Sequence, residues 1–325
     1  MSSLSISSNL GQTCNNLNLG PSTLTKYENS ITREKIAVLT FLNGDRQIDK
    51  ILVFCKLGFK TPFEAFASWK FLNEDKYTRT FEVQTRTGKK IMSKIAKTAK
   101  DNKVLVREHR ILTHINSNKL IQSFGISQST STCFSFQEMF NCSLLQYLEQ
   151  ANTNKELIAA TLSSGIKIFS CLSMLDEHQI IHRNINPNTV ILSKGQLKIR
   201  TLVFAKVLPQ GTRLTREIYE GTDPEYLAPE IVKKTWYGKK ADVWSASYLL
   251  YKGVVKQLTL NNRNIQNGQN DFDLLVFHQM NKVLKSGQEQ SSTRPKARKI
   301  MDDLKNIQLR AFLATSQCKK FGELV

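Results

Sequence analysis

Apolar residues recur at helical spacing over residues 155–177, where Leu157, Leu162, Ile166, Ile168, Phe169, Leu172 and Leu175 predict one long buried helix. Shorter apolar runs read differently. Residues 36–42 and 51–55 have strand length and lie either side of Asn43-Gly44-Asp45, which predicts a hairpin. Residues 190–192 and 197–199 predict a second β pair around Lys194-Gly195, and a further helix is expected to begin at Asp242. Residues 1–30 are rich in Ser, Asn, Thr and Gly without periodicity, which predicts a disordered tail.

With 325 residues, 40% of them hydrophobic, the chain can hold a two-lobed domain and an extension. It shows no secretory h-region, and no apolar run approaches the roughly 18 residues of a membrane span. The six cysteines form no C-x-x-C pair and read as reduced, buried thiols, so an intracellular location, cytoplasm or nucleus, is expected. The formal charge of +19 is the outlier of the composition. Lys and Arg concentrate in residues 86–110, 233–240 and 294–299, which favours an acidic partner or nucleic acid. Within 86–110 and 294–299 no aromatic residues interleave with these cations as a base-stacking platform requires, so a solvated face explains them as well.

Ordered motifs supply the chemistry. Residues 182–192 read His-Arg-Asn-Ile-Asn-Pro-Asn-Thr-Val-Ile-Leu. Tyr226-Leu-Ala-Pro-Glu230 and Asp242-Val-Trp-Ser245 follow, while Ile91-Met92-Ser93-Lys94 and Arg107-Glu-His-Arg-Ile-Leu112 precede. In this order and spacing they resemble the protein kinase superfamily, with a faintly polo-like small lobe in Phe71-Leu72 and Phe81-Glu82-Val83. The resemblance implies an α+β, bilobal protein-kinase-like fold: a small β-rich N-lobe with the αC helix, and a larger, mainly helical C-lobe. It implies that Lys94 pairs with Glu108 on the αC helix and that Glu230 pairs with Arg294. It also implies that His182, Arg183 and Asp242 anchor the fold.

The resemblance departs from the family where phosphoryl transfer is performed. The family's catalytic loop, H-R-D-L-K-P-E-N, carries a base, a phosphate-steadying lysine and a metal ligand. Those positions are Asn184, Asn186 and Thr189 here, and Thr201 stands where the metal-binding Asp of D-F-G belongs. A carboxamide has no basic lone pair at neutral pH, and magnesium favours at least one carboxylate. The loop over the phosphates lacks its glycines, with Asn73, Asp75 and Thr78 in their places and Tyr77 alone matching. Met92 replaces the small residue that packs on the purine. The nucleotide pocket, if present, would comprise Tyr77, Met92, Lys94, Gln137, Glu138, Met139 and Ile191.

These departures lead to the expectation of a catalytically inactive pseudokinase. It would act as a scaffold or allosteric regulator on a protein partner, an active kinase or its substrate, with no metal, magnesium unlikely and ATP binding doubtful. Two alternatives are a divergent, weakly active serine/threonine protein kinase and a basic nucleic-acid-associated module. The expected organisation is a tail (1–30), a hairpin extension (31–65), a kinase-like domain (66–310, with lobes 66–140 and 141–310) and a C-terminal tail (311–325).

Overall fold

The computed structural model describes residues 22–29, 34–43, 46–47, 51–53, 68–84, 88–128, 133–214, 222–260 and 271–322, with side chains over 68–84, 88–126, 133–214, 222–254, 273 and 275–313. The chain divides into two compact units, residues 1–139 and 140–325. The first unit is rich in β-sheet and the second is mainly helical, as the kinase-like fold requires.

The β-rich unit opens with a four-stranded antiparallel sheet. Its strands are β1 (Ser22–Asn29), β2 (Glu34–Asn43), β3 (Arg46–Gln47) and β4 (Ile51–Val53). β1 pairs with β2 from Ser22↔Phe41 to Asn29↔Glu34, and β4 pairs with the same strand through Val38↔Leu52. The expectation of a hairpin preceded by a disordered tail is corrected here, because residues 22–29 are a strand. The Thr residues and Tyr27 of that segment are strand formers, and β2 offers them a full-length partner. The rest of that segment, residues 1–21, lies outside the described residues.

A second, five-stranded sheet is antiparallel throughout and runs in the order β5-β6-β7-β9-β8. It comprises β5 (Ser68–Glu74), β6 (Thr78–Gln84), β7 (Lys90–Ala96), β8 (Ser123–Gln128) and β9 (Cys133–Gln137). Alternation across a strand sorts its residues into two faces. Trp69, Phe81 and Phe134 take one face and meet edge to face, with ring centroids 5.7 and 6.3 Å apart. Met92 and Lys94 take the other, opposite Gln137 and Ser135 in register. The helix α1 (Asn102–Ile115) covers that second face. Leu105 packs there with Ala96, Ile126 and Cys133, and the helix ends on Asn116 in the left-handed conformation.

The helical unit is built on α3 (Asn154–Glu177), which the short helix α2 (Leu144–Glu149) precedes. Thr153 caps α3 through a reciprocal bond pair with Glu156. The helices α4 (Pro229–Val232), α5 (Lys240–Leu260), α6 (Asp271–Ser286) and α7 (Ala297–Gly322) complete the unit. α5 and α7 close on α3 at Gly165, where a Cβ would lie 2.9 Å from Leu304 Cδ1 and 3.4 Å from Leu250 Cδ1. α7 runs to Gly322, so the expected tail at 311–325 is helical over most of its length.

α3 is long and apolar enough to cross a membrane by length and composition, which corrects the expectation that no segment comes close. It serves as a core helix, since 61% of its most apolar window is buried inside the protein. Three small β pairs remain. β10 (Cys142–Ser143), β12 (Val190–Ser193) and β13 (Gln196–Ile199) form one sheet, and β11 (Ile180–Ile181) pairs with β14 (Lys206–Val207). Residues 261–270, the Asn-rich stretch, lie outside the described residues.

Candidate functional site

In the β-rich unit the site begins with one ion pair. Lys94 on β7 projects toward α1, and its Nζ donates to Glu108 Oε1 at 2.7 Å and Oε2 at 2.9 Å. The Lys94 and Glu108 side chains are only 2% and 0% exposed, so the pair is fully withdrawn from water. Gln137 Nε2 donates to the same carboxylate at 3.1 Å, so Glu108 is held by two strands at once. Gln137 Oε1 is buried without a hydrogen-bond partner, which ordinarily costs about 1–3 kcal/mol. Met92, completely buried, shares its strand face with Lys94. Glu138 carries the chain onward, with its N–H donating to Gln122 O and its carboxylate accepting from Gln122 N–H.

The turn between β5 and β6 is closed by its own acid. Asp75 Oδ1 accepts the N–H groups of Tyr77 and Thr78, both at 2.8 Å, and Oδ2 accepts the Thr78 hydroxyl at 2.9 Å. Backbone amides at a phosphate loop are anion donors, and here a carboxylate of the same turn occupies them. Glu74 points elsewhere, to Lys97 and Arg79 at 3.3 and 3.4 Å, and these cations hold its carboxyl below the usual range.

In the helical unit, Asp242 at the start of α5 accepts His182 N–H and Arg183 N–H, each at 2.7 Å. Burial pushes its carboxyl up to about 6 against those two bonds. His182 Nδ1 accepts Asn184 N–H, which leaves its Nε2 proton to donate to Arg200 O at 3.1 Å. Arg183 adopts φ +69° and donates to Phe204 O at 2.6 Å, tying the loop to the segment after Thr201. The neutral side chains then bond to one another. Asn186 Nδ2 donates to Asn184 Oδ1 at 2.8 Å, and the Thr189 hydroxyl donates to Asn184 O and Asn186 O at 2.8 and 3.0 Å. Thr201 sits at φ +64°, a left-handed conformation that a β-branched residue adopts at a cost of about 1–3 kcal/mol. Ile191 is buried within β12, in register with Ser143 and Lys198. Arg294 clamps Glu230 with two bonds at 2.6 and 3.1 Å and also donates to Lys240 O and Glu289 O.

Several of these contacts had no obvious sign in the sequence. The Asp75 turn is signalled only by an acid three residues before a Thr, a common side-chain-to-backbone turn. Nothing in the chain marks Gln137 as a partner of Glu108, because the bond depends on two strands and a helix meeting.

Kinase chemistry brings ATP and magnesium. In the β-rich unit Lys94, fixed by Glu108, would supply a cation for the phosphate of a nucleotide. In the helical unit the positions that would hold magnesium are neutral. Asn184, Thr189 and Thr201 present neutral oxygens already engaged or lacking charge, and among the described residues no group of three or more His, Cys, Asp or Glu could share an ion.

A family model described as the protein kinase domain matches residues 76–320. Serine/threonine-protein kinase 36 of Pongo abelii is 29% identical over 167 residues, 50% of this chain and 12% of that protein. Serine/threonine-protein kinase TIO of Arabidopsis thaliana is 29% identical over 180 residues, 55% of this chain and 13% of that one. The serine/threonine-protein kinase STE7 homolog of Candida albicans is 31% identical over 150 residues, 45% of this chain and 25% of that one. The matched stretch thus covers a quarter or less of these relatives' own length. Because family and relatives alike are kinases, the expectations of a non-enzyme, of a pseudokinase scaffold and of no nucleotide or metal cofactor are corrected. With residues 76–320 of 325 matched, the chain belongs to the protein kinase family.

Proposed function

We propose that the chain is a divergent serine/threonine protein kinase of low activity, transferring the terminal phosphoryl group of ATP to a protein hydroxyl. The observation that carries this reading is the closed, fully buried Lys94–Glu108 pair, held by Gln137 on the same face as Met92. Phosphoryl transfer passes through a loose transition state, so catalysis rests on positioning and charge more than on proton abstraction. ATP supplies the phosphoryl group. Lys94, fixed by Glu108, neutralises phosphate charge. Asn184 offers its carboxamide oxygen as an acceptor that orients the substrate hydroxyl, and the Asn186 amide bonded to it fixes its rotamer. An orienting group without basicity gives up about 10²- to 10⁴-fold relative to a general base, which is why the expected activity is low.

Protein partners follow from this reading as substrates or regulators, and the charge of +19 favours acidic ones. The test is transfer of labelled phosphate from ATP by the purified chain to a mixed set of Ser- and Thr-containing peptides. Slow incorporation that disappears in Lys94→Met is the expected result. Incorporation equal in wild type and Lys94→Met, or absent from both, overturns the reading.

A further inference from the structure

A cavity of about 800 Å³ lies wholly within the helical unit, and none of Asn184, Asn186, Thr189 and Thr201 lines it. It opens between the end of α3, the strand β11, residues 208–213 after β14, the start of α5 and residues 291–297. Its floor is apolar, with Leu172, Ile180, Leu208 and Val243 buried there. Its rim carries the indole of Trp236, which is 61% exposed and stacks on no other ring among the described residues. An indole left in water offers a large apolar area to whatever covers it.

Charge around the cavity is unbalanced. Each acid that lines it is already engaged: Asp176 takes Lys239 at 2.7 Å, Glu177 takes Arg298 at 3.6 Å, and Asp242 is buried against the His182 and Arg183 amides. Lys240 donates to Ser292 O at 3.3 Å. Arg213 and Lys296 also line the cavity, are exposed, and have no acidic partner among the described residues.

The backbone fixes two of these side chains. Leu214 and Tyr237 exchange both N–H···O bonds, at 2.8 and 2.9 Å. Arg213 and Trp236 each stand one residue before that bridge, so the alternation of extended backbone sends both to the same side. The Thr212 N–H and hydroxyl both return to Pro209 O, which closes the turn ahead of Arg213.

We propose that this cavity binds a small aryl phosphate, a flat apolar body carrying a phosphate monoester. The proposal does not depend on the kinase reading. A phosphate monoester carries close to two negative charges at neutral pH, matching the two unpaired cations, and the planar fork of Arg213 suits its oxygens. The ring would lie on Trp236 above the apolar floor. The volume also fits, since small-molecule sites run to about 300–1,000 Å³. A single-stranded nucleic acid asks for several rings along its groove, whereas Trp236 is the one exposed ring lining this cavity.

The experiment titrates the full chain by calorimetry with 1-naphthyl phosphate and with its two halves, 1-naphthol and inorganic phosphate. The whole molecule is expected to bind at least about tenfold more tightly than either half. The double variant Arg213→Gln, Lys296→Gln should lower its affinity to that of 1-naphthol, and Trp236→Ala should weaken 1-naphthyl phosphate and 1-naphthol alike. All three side chains are exposed, so the melting temperature without ligand should hold in both variants. Excess adenosine should leave the binding unchanged. Failure of 1-naphthyl phosphate to bind, an affinity no better than that of either half, indifference to the double variant, or displacement by adenosine would each overturn the proposal. So would tighter binding of a short oligouridine or of a phosphotyrosine-containing peptide, either of which would make the cavity part of a groove for a polymer.

Discussion

In the β-rich unit a buried ammonium and a buried carboxylate meet 2.7 Å apart on the sheet face that α1 covers, whereas the helical unit fills the positions of the family's reactive groups with two carboxamides and two hydroxyls. The helical unit does not lack buried charge. It places that charge in the frame, with Arg294 on Glu230 and Asp242 beneath the loop amides. Charge thus sits where its removal would strand a buried partner, while Asn184, Asn186, Thr189 and Thr201 are neutral. The family's architecture therefore persists in both units, and on the proposed function phosphate handling falls to the β-rich one.

The sharpest way to break this comparison is to cut one ion pair in each unit. Arg294→Ala leaves Glu230 nearly buried without a counterion and takes donors from Lys240 O and Glu289 O, so a loss of about 3–5 kcal/mol is expected. Lys94→Met should cost less, because Gln137 still donates to the stranded Glu108. Denaturant unfolding of both variants decides it. A larger loss for Lys94→Met would mean that the β-rich pair, not the helical one, is the main support.

The two units should also respond to acid with opposite sign. His109 is buried on α1 with Nδ1 against the Ser123 hydroxyl, and desolvation, helped by nearby Arg110, lowers it from 6.5 to about 4. Between those values the unfolded chain binds the proton and the folded one does not, so stability is lost as pH falls from 6.5 toward 4, by about 3 kcal/mol in full. Asp242, raised from 3.8 to about 6, binds its proton more readily when folded, and its contribution therefore declines as pH rises through that window. His109→Phe should flatten the acid side of the stability curve and Asp242→Asn should steepen it. Thermal unfolding across pH 4–7 that shows the reverse pattern would contradict the burial argument for both groups.

Much of this frame was readable from the chain because its signals are local or ordered. The 3.6-residue pattern of Leu162, Phe169 and Leu175 fixes α3, and the spacing of Lys94, Glu108, His182, Glu230 and Asp242 points to the superfamily. What stayed hidden depends on tertiary approach or on a partner strand. Residues 22–29 read as tail because their strand needs β2 beside it. The mutual bonding of Asn184, Asn186 and Thr189 was hidden by reading each residue against the family's reactive groups instead of against its neighbours. The same neutral residues underlie the inactive-scaffold expectation, which the family match and the relatives overturn.

If charge is what the helical unit lacks for chemistry, returning it should raise turnover. Asn184→Asp preserves the shape, and the new carboxylate can still accept from Asn186 Nδ2. A base at this position should increase phosphate transfer about 10²-fold, close to 2.7 kcal/mol of barrier. Steady-state kinetics check it, with the gain expected in kcat and little change in KM for ATP. A rate unchanged by the substitution would place the limit in the β-rich unit.

The smallest effect tests that second limit. Asp75 occupies the amides of Tyr77 and Thr78, so nucleotide phosphate must either displace it or do without them. Asp75→Gly frees both amides and removes a nearby negative charge, for a loss of roughly 1 kcal/mol in turn stability and an expected gain of about tenfold in ATP affinity by calorimetry. Asp75→Asn separates the two causes, because its carboxamide oxygen still accepts those N–H groups but carries no charge. If repulsion dominates, Asn and Gly improve binding equally. If occupancy of the amides dominates, Gly alone does, and the turn then acts as a built-in competitor for the phosphate that Lys94 is held in place to receive.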